Sequence, residues 1–221
     1  MITLYSYFRS STAYRVRIAL HLKGLQYETI RVHRARGEKF NGIYRLINPW
    51  AGVPPLIQED FTLTQSLAIL NYLDNIAPEP PLSSSDFREQ AYVRQISLTI
   101  ATDIHSLTNL RVLKYLESPL HTSQAERDEW YAHWATGGMV AVEAMLRDHS
   151  YAGDFALGDR VSVADLCIVP QMYNMRRYKL PIDHLPICRR IEENCMKLPA
   201  FIQASPEMQP DAPKDLEPIH G

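Results

Sequence analysis

Residues 78–86 read PEPPLSSSD, and this run divides the chain into two stretches of different periodicity. Its prolines and serines deny it regular structure, so it is the expected linker. Ahead of it, residues 2–7 alternate in the manner of a strand. Residues 15–23 (RVRIALHLK) place Val16, Ile18, Ala19, Leu20 and Leu22 on a buried helical face, and Gly24 is a natural stop. Residues 26–33 read as a second strand. Two short strands over 54–57 and 61–63 flank the polar turn Glu59-Asp60, and a helix covers 66–76. Beyond the linker, everything to about Phe201 reads as helix. One long helix is expected over 87–117, a second over 123–147 with Trp130 and Trp134 one turn apart, a third from Ser162, and a shorter one over 187–197. The polar, proline-rich tail after Pro206 is expected to lie loosely on the surface.

The first stretch thus runs βαβ and then ββα, the pattern of a thioredoxin-like domain of about 80 residues. The expectation is an α/β thioredoxin-like domain over 1–82 followed by an all-α domain over 87–210. With 46% hydrophobic and 22% charged residues the chain has enough apolar material for a core, which excludes global disorder. Lys and Arg number 23 against 25 Asp and Glu, a formal net charge of −2, so nothing draws the chain generally to nucleic acid or an anionic membrane. No apolar run approaches the roughly 20 residues of a membrane span. The sequence enters its first strand directly, without a targeting pattern, and a cytoplasmic location is expected. Three cysteines, Cys167, Cys188 and Cys195, are an odd number at no metal-ligand spacing; they are read as reduced thiols, and no metal is expected.

Four local features carry potential chemistry. Arg9-Ser10-Ser11-Thr12 lies between the first strand and first helix. Its hydroxyls either cap the helix or, with the same backbone N–H groups, stabilise an anion such as a thiolate. Val53-Pro54-Pro55 precedes a strand, and proline there is ordinarily a turn; in a thioredoxin-like domain a cis proline at this place exposes the preceding backbone to an extended peptide. Thr64-Gln65-Ser66 opens a helix, either as a simple cap or as a carboxylate seat. Asp103-Ile104-His105 and Asn109-Leu110-Arg111 fall inside the long helix, where six residues separate His105 from Arg111 and leave them about 120° apart around one axis. Arg176 and Arg177 add a second basic spot. Ser162-Val163-Ala164-Asp165 is a close variant of the capping box and is assigned to folding alone.

Taken together, these residues resemble the zeta-class glutathione transferases. Residues 10–20 (SSTAYRVRIAL) are similar to that class's S-S-C-x-W-R-V-R-I-A-L signature, and TQSLAI over 64–69 is similar to its glutathione-binding segment. The likeness continues through DIH at 103–105, NLRVL at 109–113, VPQMYN at 169–174, Arg176-Arg177, LPAF at 198–201 and QPDA at 209–212, and so spans essentially the whole chain. The class includes maleylacetoacetate isomerases of tyrosine breakdown and maleylpyruvate isomerases of aromatic-acid breakdown. The resemblance implies cis–trans isomerisation of a small cis-diacid with glutathione as catalytic cofactor, in a homodimer. Ser10, Arg9 and Arg177 are the implied catalytic residues. Ser10, Ser11, Val53, Pro54, Gln65, Ser66 and His105 are implied to bind glutathione, and Arg9, Arg111, Arg176 and Arg177 to bind the diacid, since guanidinium matches carboxylate with fork geometry.

Two departures from the pattern matter. Thr12 stands where many members of the class have cysteine, which implies weak or absent thiol-dependent dehalogenation while isomerisation survives. Trp50-Ala51-Gly52 replaces the polar residues common just before Val-Pro, so glutathione affinity or substrate choice is expected to differ. Two rivals remain open: a transferase conjugating glutathione to small electrophiles, which the arginine set argues against, and a non-catalytic binding protein on the same fold.

Overall fold

The computed structural model describes residues 1–32 and 42–219. The expected end of the second strand, His33, lies outside the described residues. Contacts divide the chain into two units, one of Met1–Leu82 with Met196–Pro218 and one built on Ser83–Cys195.

The first unit holds a four-stranded sheet in the order β2-β1-β3-β4. Strand β1 (Ile2–Ser6) leads into α1 (Ser11–Leu22), which returns the chain to β2 (Tyr27–Arg31), paired parallel to β1. After α2 (Gly42–Ile47), β3 (Leu56–Gln58) runs antiparallel to β1, β4 (Phe61–Leu63) antiparallel to β3, and α3 (Ser66–Ile76) closes the unit. The thioredoxin-like order is therefore present, and α3 has the bounds read from the sequence. Helix α1 starts four residues earlier than its apolar pattern implies, because Ser10 supplies the N-cap: its side chain accepts from the Ala13 N–H. It ends where Gly24, at φ 62, takes up the left-handed conformation that follows a helix C-terminus at least cost.

The C-terminal segment differs from expectation in two respects. Residues 196–210 were expected in the helical domain, yet α10 (Pro199–Ala204) and the 3₁₀ turn Pro206–Met208 belong to the first unit. The reason is polar as well as apolar. Fully buried Arg17 on α1 donates from Nε to the Ala204 carbonyl (2.9 Å), and the Tyr14 hydroxyl donates to the Phe201 carbonyl (3.1 Å). Nor is the tail loose: the Phe8 N–H donates to Asp211 Oδ2 at 3.0 Å.

The second unit is helical. The single helix expected over 87–117 is four pieces: α4 (Phe87–Leu98), a π-helix (Thr99–Ile104), α5 (His105–Thr108) and α6 (Leu110–Glu117). Asn109 makes the break. Its backbone is extended, and its side chain accepts from the Arg111 and Val112 N–H groups as the N-cap of α6. His105 and Arg111 accordingly lie on separate helices, and the 120° relation derived for one axis does not apply. The wide π turn carries Ile104 against Gly138 of α7 (Gln124–Asp148) so closely that a Cβ on Gly138 would sit 2.3 Å from Ile104 Cγ1. Helix α8 (Val163–Arg177) is buried from Ala164 to Met175, the pattern of a central helix, and packs on α4 and α9 (Pro186–Cys195). Its capping box is formed as read: Asp165 accepts from the Ser162 N–H (2.7 Å) and hydroxyl (2.8 Å), and also from the Ala156 N–H (2.7 Å). Burial outweighs these three donors and pushes the Asp165 carboxyl up to about 6.

Candidate active site

Within the first unit, the turn between β1 and α1 meets the turn before β3. Ser10 and Ser11 are buried, and the Ser10 N–H donates to the Tyr7 carbonyl at 3.0 Å, which fixes the turn. Ser10 Oγ lies 2.9 Å from Thr12 Oγ1, and the Thr12 hydroxyl donates to the Val53 carbonyl at 2.8 Å. Residues far apart in sequence thus form one polar chain from the first turn of α1 to the Val53-Pro54 peptide, which is cis. The loop carrying Val53 is braced from behind. Tyr44 Oη and Asn48 Nδ2 both donate to the Gly52 carbonyl, at 2.5 and 2.9 Å, and Val53 packs on the buried cluster Val32, Tyr44 and Ala51. Trp50, one of the departures noted above, is exposed.

A second seat forms at the start of α3. Gln65 sits at φ 70, in the region that costs a non-glycine residue about 1–3 kcal/mol, and its side chain makes no capping bond. The capping explanation of Thr64-Gln65-Ser66 is therefore not what Gln65 does. Behind it, Arg15 Nη1 donates to Ser66 Oγ at 3.3 Å, while Arg15 Nε and Nη2 are buried without a partner. Arg15 is 1% exposed, and no carboxylate among the described residues lies within ion-pair distance of it. A buried, unopposed guanidinium behind a helix N-terminus favours an anion in front of it. Both seats share α1, with Ser10 at its cap and Arg15 in its second turn. Arg9 is exposed, its guanidinium 5.3 Å from the centre of the Phe8 ring.

The sequence reading missed two members of this group, Thr12 as a bridge and Arg15 as a buried charge. The available signal for Arg15 was its place on the otherwise apolar face of α1, where an arginine must find a particular partner.

In the second unit His105 begins α5 directly after the π turn, and Arg111 follows the Asn109 cap. The adjacent arginines at the end of α8 have different fates. Arg176 is paired with Glu192, with Nη2 to Oε2 at 2.7 Å and Nε to Oε2 at 3.2 Å, and the Glu192 side chain is only 2% exposed. Arg177 has no carboxylate within ion-pair distance among the described residues, and its Nε is buried without a partner. Its guanidinium lies 4.5 Å from the centre of the Tyr178 ring, which itself stacks on Tyr131 at 3.6 Å. Burial holds the Tyr131 phenol well above its usual range. The three cysteines are buried and form no disulfide, and burial raises Cys188 and Cys195, so none is an exposed thiolate.

Residues 1–75 match the family model described as the N-terminal domain of glutathione S-transferase. The chain is 44% identical over 213 residues to a Vibrio cholerae protein named probable maleylacetoacetate isomerase, across 96% of this chain and 98% of that one. Among solved structures it is similar to a holo maleylpyruvate isomerase described as a bacterial zeta-class glutathione transferase, with a TM-score of 0.93 and 34% identity over 96% of this chain and 100% of that one. It is also similar to the maleylacetoacetate isomerase of Anaeromyxobacter dehalogenans, solved with dicarboxyethyl glutathione and citrate in its active site (TM-score 0.85, 37% identity, 96% and 98% covered). Identity of this degree along nearly the full length of both sequences leaves one assignment: the chain belongs to the family of maleylacetoacetate isomerases, the zeta class of the glutathione transferases.

Proposed function

We propose that the chain is a glutathione-dependent cis–trans isomerase of a small cis-dicarboxylate, of which maleylacetoacetate and maleylpyruvate are the leading candidates. The observation that carries this reading is the join of Ser10, Thr12 and Val53 into one polar chain at the N-terminus of α1, a place suited to a thiolate and the peptide that bears it. The dicarboxyethyl glutathione held by the Anaeromyxobacter relative is the kind of thioether that addition of glutathione to a four-carbon cis-diacid forms.

In this mechanism the Ser10 hydroxyl and the α1 N-terminus hold the glutathione sulfur as thiolate. Val53 and Pro54 present backbone to the cysteinyl residue, and Ser11, Gln65 and Ser66 receive the γ-glutamyl carboxylate, with Arg15 behind Ser66. The sulfur adds to one carbon of the cis double bond, and the electron pair moves to the neighbouring carbonyl as an enolate. Rotation about the new single bond follows. Collapse of the enolate restores the double bond as trans and expels the thiolate, so glutathione is not consumed. Covalent addition replaces one high barrier by smaller ones, and fixed guanidinium groups stabilise the enolate and the substrate carboxylates. Arg9, Arg111 and Arg177 are the proposed donors, with His105 beside the glutathione. Arg176, bonded to Glu192, is the weaker candidate of the adjacent pair. A homodimer in the cytoplasm belongs to the same reading; light scattering that returned the monomer mass would remove the dimer.

The test is an isomerase assay on both diacids, with and without glutathione, for wild type, Ser10→Ala and Arg177→Ala. Turnover is expected only with glutathione. Ser10→Ala is expected to lower kcat about 10²–10³-fold, the usual cost of one donor to a reacting anion. Arg177→Ala is expected to raise KM for the diacid about 10–100-fold, as loss of a charged hydrogen bond implies. No turnover of either diacid, with conjugation of chlorodinitrobenzene intact, would replace the isomerase by a general transferase.

A further inference from the structure

The direction of the hydrogen bonds between Ser10, Thr12 and Val53 is settled by what each atom can do. The Val53 carbonyl only accepts, so the Thr12 hydroxyl, 2.8 Å away, gives its one proton there. Thr12 then has no proton left for Ser10, and across their 2.9 Å contact Ser10 must be the donor. Ser10 Oγ meanwhile accepts from the Ala13 N–H at 3.3 Å. The Ser10 proton therefore points toward Thr12, and neither hydroxyl has a proton to offer an incoming anion.

We infer that Thr12 is a positioning residue that couples capture of the glutathione backbone at Val53 to donation by Ser10 at the sulfur, through reversal of this hydroxyl chain. The inference rests on the glutathione reading above. When the cysteinyl N–H of the peptide donates to the Val53 carbonyl, it competes with the Thr12 hydroxyl for that oxygen and weakens their bond, and the hydroxyl turns its proton toward Ser10 Oγ. Ser10, now an acceptor from Thr12, turns its own proton to the sulfur. Every oxygen keeps a partner in both states, and no proton leaves its oxygen: the Ser10–Thr12 bond reverses, the cysteinyl N–H takes the place of Thr12 at Val53, and a new bond runs from Ser10 to the sulfur. A hydroxyl that accepts one hydrogen bond donates a stronger one, so the chain favours thiolate over thiol. The backbone seat and the thiol seat thereby become one cooperative unit. A threonine performs this reversal because it both donates and accepts with full strength, whereas a cysteine at this position does either only weakly.

The opposite expectation follows if Thr12 merely competes for the Ser10 proton, since its removal would then free Ser10 for the sulfur and lower the thiol pKa. The experiment is titration of the ultraviolet thiolate absorbance of glutathione bound to wild type, Thr12→Val and Thr12→Ser, with the glutathione Kd of each measured alongside. Valine preserves the shape and removes the hydroxyl; serine preserves the hydroxyl. The bound thiol pKa is expected to rise by about one unit, a tenfold change in the thiolate equilibrium, in Thr12→Val. In Thr12→Ser it is expected to stay at the wild-type value. A pKa in Thr12→Val that is unchanged or lower, with glutathione still bound, overturns the relay and leaves the isomerase reading standing. So does a rise of equal size in Thr12→Ser, because the effect would then be one of packing. Failure of wild type to bind glutathione overturns the underlying reading and the relay with it.

Discussion

Each unit carries two arginines close together on one helix, Arg15 and Arg17 on α1 and Arg176 and Arg177 on α8, and the two pairs divide their labour alike. Arg17 has its donors taken up inside the first unit, by the Ala204 carbonyl, Ser6 Oγ (3.0 Å) and the Phe8 carbonyl (3.0 Å). Burial pushes its pKa down to about 10, so it stays charged at neutral pH and serves as a hub for the turn that precedes Ser10. Arg176 is bonded in the same thorough way by Glu192 in the second unit. Arg15 and Arg177, by contrast, each keep buried donors without a partner. The lesson is that residue type says little about role. Counting donors against acceptors separates an arginine whose donors the fold uses up from one with donors to spare.

The comparison is broken most sharply at Arg176. Replacing it with alanine takes from the buried Glu192 its ion-pair partner, a change that costs about 3–5 kcal/mol. Chemical denaturation is expected to show a loss of that order for Arg176→Ala and under about 1 kcal/mol for Arg177→Ala. Similar losses in both variants would erase the distinction drawn between the two residues.

The next largest effect is expected at Arg15 and has two signs. Its unopposed charge is a burden on the unliganded fold, so Arg15→Met is expected to leave thermal stability unchanged or improved. The same variant is expected to weaken glutathione binding about 10–100-fold, as loss of a charged hydrogen-bonding partner to a carboxylate implies. Calorimetric titration of glutathione beside a melting curve reads both. A variant that loses stability and binds glutathione normally would return Arg15 to the structural class with Arg17.

How much of this was legible in the sequence follows from the range of each interaction. Helix α3, the Ser162–Asp165 capping box and the order of strands rest on neighbours within a few residues, and the sequence patterns locate them. The π turn at Thr99–Ile104 left no such mark. The apolar spacing of Ile96, Ile100 and Ile104 runs through it without a proline or glycine, and its counterpart, Gly138, lies on another helix. The Asn109 break is local, yet an asparagine inside a helical pattern does not announce a cap unless its extended backbone is seen. At the site, Ser10, Val53 and Ser66 were named from motif order. Their connections were not, because Thr12 reaches Val53 across 41 positions and Arg15 reaches Ser66 across 51. Nor does any local pattern tell Arg176 from Arg177; the difference is made by Glu192, 16 positions beyond the first of them.

The smallest effect worth measuring lies under Arg177. Its guanidinium rests against the Tyr178 ring, and Tyr178 is in turn stacked on Tyr131. An aromatic face holds a cation without neutralising it, whereas a carboxylate would occupy its donors. If Arg177 is kept for a substrate carboxylate, the ring is the support that orients it while leaving the charge available. Tyr178→Leu preserves apolar bulk and removes the π face, at a cost of about 0.5–1 kcal/mol for an exposed cation–π contact. The expected outcome is a rise of roughly two- to fivefold in diacid KM, with glutathione Kd and kcat unchanged. A fall in kcat with KM constant would place the ring's influence on the enolate rather than on substrate capture. An unchanged KM would show that the ring does not orient Arg177 for the substrate.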